Sequence, residues 1–237
     1  MISEIIYFIT TQCSYALPFK NQQLVKDYQA RWITLFEEVL TNPLENELHF
    51  KFQQCYIVPV KISHFLDLEI QIDIKALIEM IKKDRPPFYP INLENFINSS
   101  SFHIEKLNKN RNLITYNLDF SFKKVSKEPI IVCLSDITPQ NFVLDGNHRV
   151  DFAINNHFST IDAYVISSKS LIYSSHLFVD RVSYLLFCFL EDLALLQNAL
   201  FLKQSKGVFG ILRTESSLLK NQSILEIVEE NVFGTSH

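Results

Sequence analysis

Glycine, the residue that tight backbone turns most often need, is scarce in this chain, with 4 in 237 residues. The four cysteines stand far apart, at positions 13, 55, 133 and 188, and form no C-x-x-C pair. The sequence therefore predicts neither a zinc ribbon nor a disulfide framework, and it favours isolated thiols in a reducing compartment. With 47% hydrophobic and 20% charged residues and no internal repeat, the composition is typical of a globular protein.

An excess of basic residues is also absent. The formal net charge is −4 at pH 7, which argues against a protein that coats nucleic acid non-specifically. One basic cluster is present, and its members are Lys106, Lys109, Arg111, Lys123, Lys124 and Lys127. An edge hairpin protected from aggregation by lysines explains the cluster better than contacts with DNA phosphates do. The sequence thus allows DNA as a partner without favouring it.

A targeting or membrane segment is not predicted either. Glu4 precedes the apolar residues 5–9, where a secretory signal peptide would carry basic residues. The most apolar run, residues 182–202, has Glu191 and Asp192 at its centre, and two carboxylates are costly in the middle of a membrane. The run predicts either a core helix or the interface of a homodimer. We expect a cytoplasmic protein without a membrane partner.

Hydrophobic periodicity predicts the order of the secondary-structure elements. Helices are predicted at residues 22–40, 73–83, 147–156, 175–203 and 217–230. Strands are predicted at residues 48–52, 55–60, 130–134, 141–144 and 160–166, with an extended segment at residues 88–93 and a hairpin within residues 106–127. This mixture of elements favours an α+β fold.

The turn Asp145-Gly146-Asn147-His148-Arg149 is the strongest candidate for a functional site. A strand that turns on a glycine into a helix presents backbone N–H groups and the positive end of the helix dipole, which suit a phosphate. The histidine, the arginine and the carboxylate add side chains that can hold a phosphoryl group and its metal. The alternative is an Asp-Gly hairpin, which would require a second strand, whereas helical spacing follows the glycine.

These elements and this turn resemble the ParB/sulfiredoxin-like superfamily. The matching segments are residues 57–63, 74–81, 128–133, 141–149 and 161–165. The resemblance implies a core made of a small mixed sheet with helices, at residues 54–168. It leaves an N-terminal helical extension at residues 1–53 and a C-terminal helical segment at residues 169–237.

Within that superfamily, the Asp-Gly-x-His-Arg turn is more similar to the free-serine-kinase branch than to the others. Partitioning proteins resemble Gly-Glu-x-Arg here, and sulfiredoxins place a reactive cysteine where this chain has an asparagine, which cannot act as a thiolate. The resemblance implies that Asp145, Gly146, Asn147, His148 and Arg149 bind the phosphates of ATP, ADP or another nucleotide. Asp145 and Asn147 would also assist a Mg²⁺ ion.

The same resemblance implies an acidic general base in the loop after the first core strand. The position corresponds to Asp67, where the family has a glutamate, and Glu69 lies close by. His148 would stabilise the charge that develops during the reaction. We expect phosphoryl transfer from a nucleotide to a small hydroxylated molecule. The alternatives are a nucleotide- or DNA-binding regulator without turnover, and a fold used only for protein contacts.

Overall fold

The computed structural model describes residues 1–42, 54–98, 113–116, 126–135, 140–205 and 215–234. Within these residues the chain contains both helices and a six-stranded mixed sheet, so the predicted α+β class is confirmed. The chain divides into two compact units. The first contains the described parts of Met1–Lys51, Ile57–Gln71 and Phe178–His237, and the second those of Phe52–Tyr56 and Ile72–Leu177.

The elements are numbered in chain order. The helices are α1 (Ile2–Ala16), α2 (Gln22–Thr41), α3 (Ile74–Asp84), α4 (Asn147–Asn155), α5 (Ser168–Ile172), α6 (Arg181–Ser205), α7 (Glu215–Gln222) and α8 (Leu225–Phe233). The strands are β1 (Cys55–Lys61), β2 (Asp67–Asp73), β3 (Phe88–Asn92), β4 (Phe96–Asn98), β5 (Leu113–Tyr116), β6 (Ile130–Leu134), β7 (Gln140–Asp145) and β8 (Thr160–Ser167).

Most of the predicted elements that fall on described residues are confirmed, with differences at three places. The long C-terminal helix begins at Arg181 and not at Ser175, because a 3₁₀ turn, Ser175–Leu177, comes first. The predicted last helix is two helices, α7 and α8. The predicted loop around Asp67 is the start of β2. The strand predicted at residues 48–52 lies outside the described residues, as does the hairpin within 106–127 apart from β5.

Helices α1, α2 and α6 form the core of the first unit. The ring of Phe189 on α6 contacts Trp32 edge-on with centroids 5.3 Å apart, and it lies 6.0 Å from the ring of Phe8. The side chains of residues 184–189 are all buried within the chain. This burial agrees with the core-helix alternative for residues 182–202, and a homodimer through them stays a prediction.

Helix α6 also bears on the membrane question. Within the described residues it is the one helix whose length and hydropathy would suffice to cross a membrane, over Arg181–Phe201. A core helix of a globular protein passes the same test, and 56% of the most apolar window is buried in the chain. The helix is therefore weak evidence for a membrane span.

The six-stranded sheet of the second unit has the order β3-β8-β6-β7-β5-β4. The pairs β3–β8 and β6–β7 are antiparallel, whereas β6–β8, β5–β7 and β4–β5 are parallel. One face of the sheet packs with helix α4 into a core, whose fully buried members include Ile130, Val132, Val143, Val150, Ala153 and Ala163. The turn between β7 and α4 is held in place by this core.

Helix α3 has clear signals at both ends. The carboxylate of Asp73 accepts hydrogen bonds from the backbone N–H groups of Lys75 (2.9 Å) and Ala76 (3.1 Å), which caps the first turn. Arg85 ends the helix in the left-handed conformation with φ 47°. Pro86 and Pro87 follow, and proline cannot continue a helix. The helix therefore ends at Asp84, and the extended strand β3 begins at Phe88.

Candidate functional site

The candidate site is built around Gly146, which joins β7 to α4 with φ 101°. A Cβ at this position would lie 2.5 Å from Cγ2 of Ile130, so a larger residue would clash with the core. The Gly146 carbonyl accepts hydrogen bonds from the N–H groups of Arg149 (2.9 Å) and Val150 (3.0 Å). A helix, not a second strand, therefore follows the turn, and the hairpin alternative is wrong.

Arg149 ties this turn to the start of β6. Its Nη1 atom donates to the carbonyl oxygens of Glu128 (2.7 Å) and Pro129 (2.8 Å), and its Nη2 atom donates to a carboxylate oxygen of Asp145. Only 13% of the Arg149 side chain is exposed. The guanidinium group that the sequence predicts to bind phosphate thus already donates hydrogen bonds within the protein. Arg149 stabilises the turn as well as contributing charge to it.

A one-residue shift in register brings Asp145 beside Ile131. Val132 on β6 pairs with Val143 on β7, but Ile131 pairs with Asp145, so Leu144 is an extra residue of the kind found in a β-bulge. Bulges are frequent next to active sites, where they redirect a side chain. Here the redirected side chain is a carboxylate.

The same register continues across the sheet. Asp145 pairs with Ile131, Ile131 with Tyr164 on β8, and Tyr164 with Phe88 on β3. Residues in register on neighbouring strands lie side by side on one face of a sheet. The row therefore begins at a carboxylate and ends at two aromatic rings, whose centroids are 5.9 Å apart at 82°.

These elements enclose an open pocket with a volume of about 710 Å³. Its lining residues are Ile78, Ile81, Lys82, Arg85, Pro86, Pro87, Phe88, Glu128, Pro129, Ile131, Asp145, Arg149 and Tyr164. The last turn of α3 supplies one wall, and the row across the sheet supplies another. The volume lies within the range of small-molecule sites.

Most of the charged residues of the pocket that form no ion pair with each other are positive. Arg149 and Asp145 compensate each other, which leaves Lys82, Arg85 and Glu128. Lys82 and Arg85 are exposed, and neither forms an ion pair with a carboxylate of the described residues. Together with Glu128, these residues leave one excess positive formal charge in the pocket, which favours an anionic ligand.

The structure brings part of the predicted site together. Asp145 and Arg149 line the pocket, and Gly146, Asn147 and His148 belong to the same turn and first helical turn. The Oδ1 atom of Asn147 is buried and has no hydrogen-bond partner among the described residues. His148 is half-buried at the start of α4.

Asp67 and Glu69 require a correction. They lie on strand β2 and not in a loop, because residues 67–73 alternate polar and apolar side chains and bury Ile70 and Ile72. Both carboxylates are exposed, and that of Glu69 accepts a hydrogen bond from Gln71 at 2.8 Å. They belong to the first unit, whereas the Gly146 turn belongs to the second. The period-two alternation in the sequence would have revealed the strand.

Sequence reasoning did not assign Lys82, Arg85, Phe88, Tyr164 or Glu128 to the site. Lys82 and Arg85 lie in the segment that ends α3. The sequence of this segment predicts the end of a helix but does not by itself predict a binding site. Phe88 and Tyr164 are far apart in sequence and meet only because β3 and β8 pair. Of the basic cluster within residues 106–127, Lys127 alone is described, and it is exposed.

Of the residues predicted to hold a magnesium ion, Asp145 lines the pocket and Asn147 does not. Mg²⁺ is usually bound by one or two carboxylates together with substrate phosphates and water. Asp145 would therefore hold the ion. The described residues contain no group of three or more histidine, cysteine or acidic side chains close enough to hold a metal alone.

No family model matches the chain, and no curated protein and no solved structure matches it. The resemblance to the ParB/sulfiredoxin-like superfamily therefore stays a prediction.

Proposed function

We propose that the pocket binds a nucleotide, ATP or ADP with Mg²⁺, in a core of ParB/sulfiredoxin-like type. We further propose that the protein transfers a phosphoryl group from that nucleotide to a small hydroxylated molecule. The observation that carries the proposal is the convergence of Lys82 and Arg85, both without an ion-pair partner in the described residues, on the pocket that Asp145 lines.

Phosphate binding is supported by the kinds of groups available. Guanidinium and ammonium groups form charge-assisted hydrogen bonds with phosphate oxygens, and an arginine can bind two of them at once. The N-terminus of α4 begins at the glycine that follows Asp145, and a helix N-terminus favours an anion. Phosphoryl transfer depends mainly on positioning and on neutralising charge, which is what such groups provide.

The proposed roles follow from position and chemistry. Lys82 and Arg85 bind phosphate oxygens, while Asp145 holds the Mg²⁺ ion. Arg149 keeps the Asp145 carboxylate in place, and His148 stabilises developing charge. Asp67 and Glu69 remain proposed general bases, and Glu128 joins them because this residue lines the pocket.

Titration calorimetry with ADP and Mg²⁺ tests the binding step. We expect the variant with both Lys82→Gln and Arg85→Gln to lose about tenfold or more in affinity, since each position loses a charge-assisted contact. Both side chains are exposed, so the midpoint of thermal unfolding should stay close to that of the parent chain. Lys83→Gln is the matched control, because Lys83 is an exposed cation on the same helix that does not line the pocket. Equal affinities in all three proteins, or no binding by the parent chain, would refute the proposal.

Turnover separates the enzyme from a regulator that binds the same nucleotide. Formation of ADP from ATP that depends on a small hydroxylated acceptor such as free serine supports phosphoryl transfer. Binding of ATP without any ADP formation favours the alternative, a nucleotide-binding regulator. Glu128, Asp67 and Glu69 are then substituted one at a time by the corresponding amide. The general base is the residue whose substitution lowers kcat.

A further inference from the structure

A pair of aromatic rings forms the end of the pocket farthest from Asp145 along the sheet. Phe88 and Tyr164 are direct partners across the β3–β8 pair, and their rings meet edge to face. Phe88 lies on β3, at the end of the strand order, and 51% of its surface is exposed. An exposed ring inside a pocket offers apolar area to a ligand.

The spacing of the strands sets the distance between the two ends of the row. Phe88, Tyr164, Ile131 and Asp145 lie on four consecutive strands, so three inter-strand steps separate the first from the last. At about 4.8 Å a step, the row spans roughly 14 Å. Phosphate alone is too small to occupy a row of this length, whereas a ring joined to phosphates through a sugar can contact both ends.

We infer that Phe88 and Tyr164 form a subsite for the aromatic ring of the ligand. The inference rests on the proposed nucleotide-binding function and adds to it that the ring, and not only the phosphates, is recognised. Stacking on aromatic side chains is a common way to hold a nucleobase, and every base has a face that can stack. Lys82 and Arg85, at the end of α3, supply the charge for the phosphates, and the aromatic pair supplies the contact for the base.

A comparison of ADP with pyrophosphate, both with Mg²⁺, isolates the contribution of the ring. We expect Phe88→Leu to weaken ADP binding about tenfold while pyrophosphate binding changes less than about twofold. Tyr164→Leu should act in the same direction. Tyr89→Leu is the matched control, because Tyr89 is 54% exposed on the same strand but does not line the pocket, and it should change neither affinity.

The outcomes separate this inference from the proposed function. If Phe88→Leu and Tyr164→Leu leave ADP affinity unchanged, or weaken ADP and pyrophosphate equally, the ring subsite is refuted. If the parent chain binds ADP no better than pyrophosphate, and both depend on Lys82 and Arg85, phosphate binding stands and the ring subsite does not. Absence of binding of either compound refutes both.

Discussion

Gly146 permits a backbone conformation on which the whole site depends. Its φ of 101° lies where side chains are strained, and its Cα faces Ile130 so closely that a Cβ has no space. The helix that begins after it holds Arg149, which in turn binds Asp145. A single small residue therefore positions the carboxylate and the guanidinium together.

We expect Gly146→Ala to lower the free energy of unfolding by about 2–4 kcal/mol, through the strained backbone and the contact with Ile130. Urea unfolding followed by circular dichroism measures it. Gly234→Ala is the control: Gly234 also has a positive φ, 64°, but nothing lies within 4 Å of its Cβ position. That variant should lose only about 1 kcal/mol. Equal losses would show that space around Gly146 is not limiting.

At the scale of single residues, the sequence predicted only some of the residues that form the candidate site. The Asp-Gly-Asn-His-Arg turn and the helix after it were predictable, because glycine and helical spacing are local signals. The carbonyl partners of Arg149 were not, since Glu128 and Pro129 belong to the segment before β6, about 20 residues earlier in the chain. Phe88 and Tyr164 likewise meet through strand pairing, which depends on the register of the whole sheet.

Among the elements, helix α6 carries the polar centre of the first unit. The Asp192 carboxylate is fully buried and accepts hydrogen bonds from the Tyr28 hydroxyl (2.6 Å), the Ser223 hydroxyl (2.8 Å) and the Ile224 backbone N–H (2.8 Å). It thereby connects α6 to α2 and to the start of α8. Burial raises the pKa of Asp192, and the hydrogen bonds from Tyr28, Ile224 and Ser223 oppose that rise.

This raised pKa makes stability depend on pH. The folded chain keeps the Asp192 proton to a higher pH than the unfolded chain does. The associated stabilisation is therefore complete below the pKa of the unfolded chain and is lost as the pH rises through the folded pKa. We expect Asp192→Asn to remove this part of the pH dependence, as measured by urea unfolding at several values from acid to neutral pH.

The contradicting result is a variant whose free energy of unfolding has the same slope against pH as that of the parent chain. Asp192→Ala gives a second comparison. It leaves the hydroxyl groups and the Ile224 N–H without their acceptor, so it should destabilise the fold at every pH, by about 1–3 kcal/mol for each donor that stays buried and unpaired.

For some helices and strands, local sequence patterns are enough to predict where the element begins and ends. Helices α2 and α3 and strand β6 agree with their predicted ranges, because each has a regular apolar pattern and α3 has a proline stop. The break between α7 and α8 was not predictable, since Ser223 and Ile224 are held there by Asp192, 31 and 32 residues earlier in the chain. The sequence predicts a loop at Asp67 and Glu69, and this prediction is wrong because both residues lie on strand β2.

For the whole molecule, contacts distant in sequence decide how the segments group. Helices α1 and α2 share one compact unit with α6, α7 and α8, although more than 100 residues separate the two sets. Local patterns along a chain give no information about such grouping. The formal net charge of −4 is, in contrast, a property of the complete chain that the sequence determines directly.

That charge leads to an expectation about DNA. We expect no shift of a short duplex in a gel assay at roughly 0.15 M salt, because an acidic chain lacks the excess of phosphate-binding cations that non-specific binding needs. Repeating the titration at a lower salt concentration is the control. Binding at the higher salt, with an affinity that falls steeply as salt is added further, would instead favour the DNA-binding regulator.

The extra residue in β7 has a consequence for how this site can change. If Leu144 were paired as a regular residue of β7, the alternation of the strand would send Asp145 to the side of Val143, among the apolar residues beneath α4. Deletion of Leu144 would instead remove the bulge and leave the acid directly after Val143, on the opposite face from it. The pairing of this one residue decides whether the carboxylate faces the pocket or the interior.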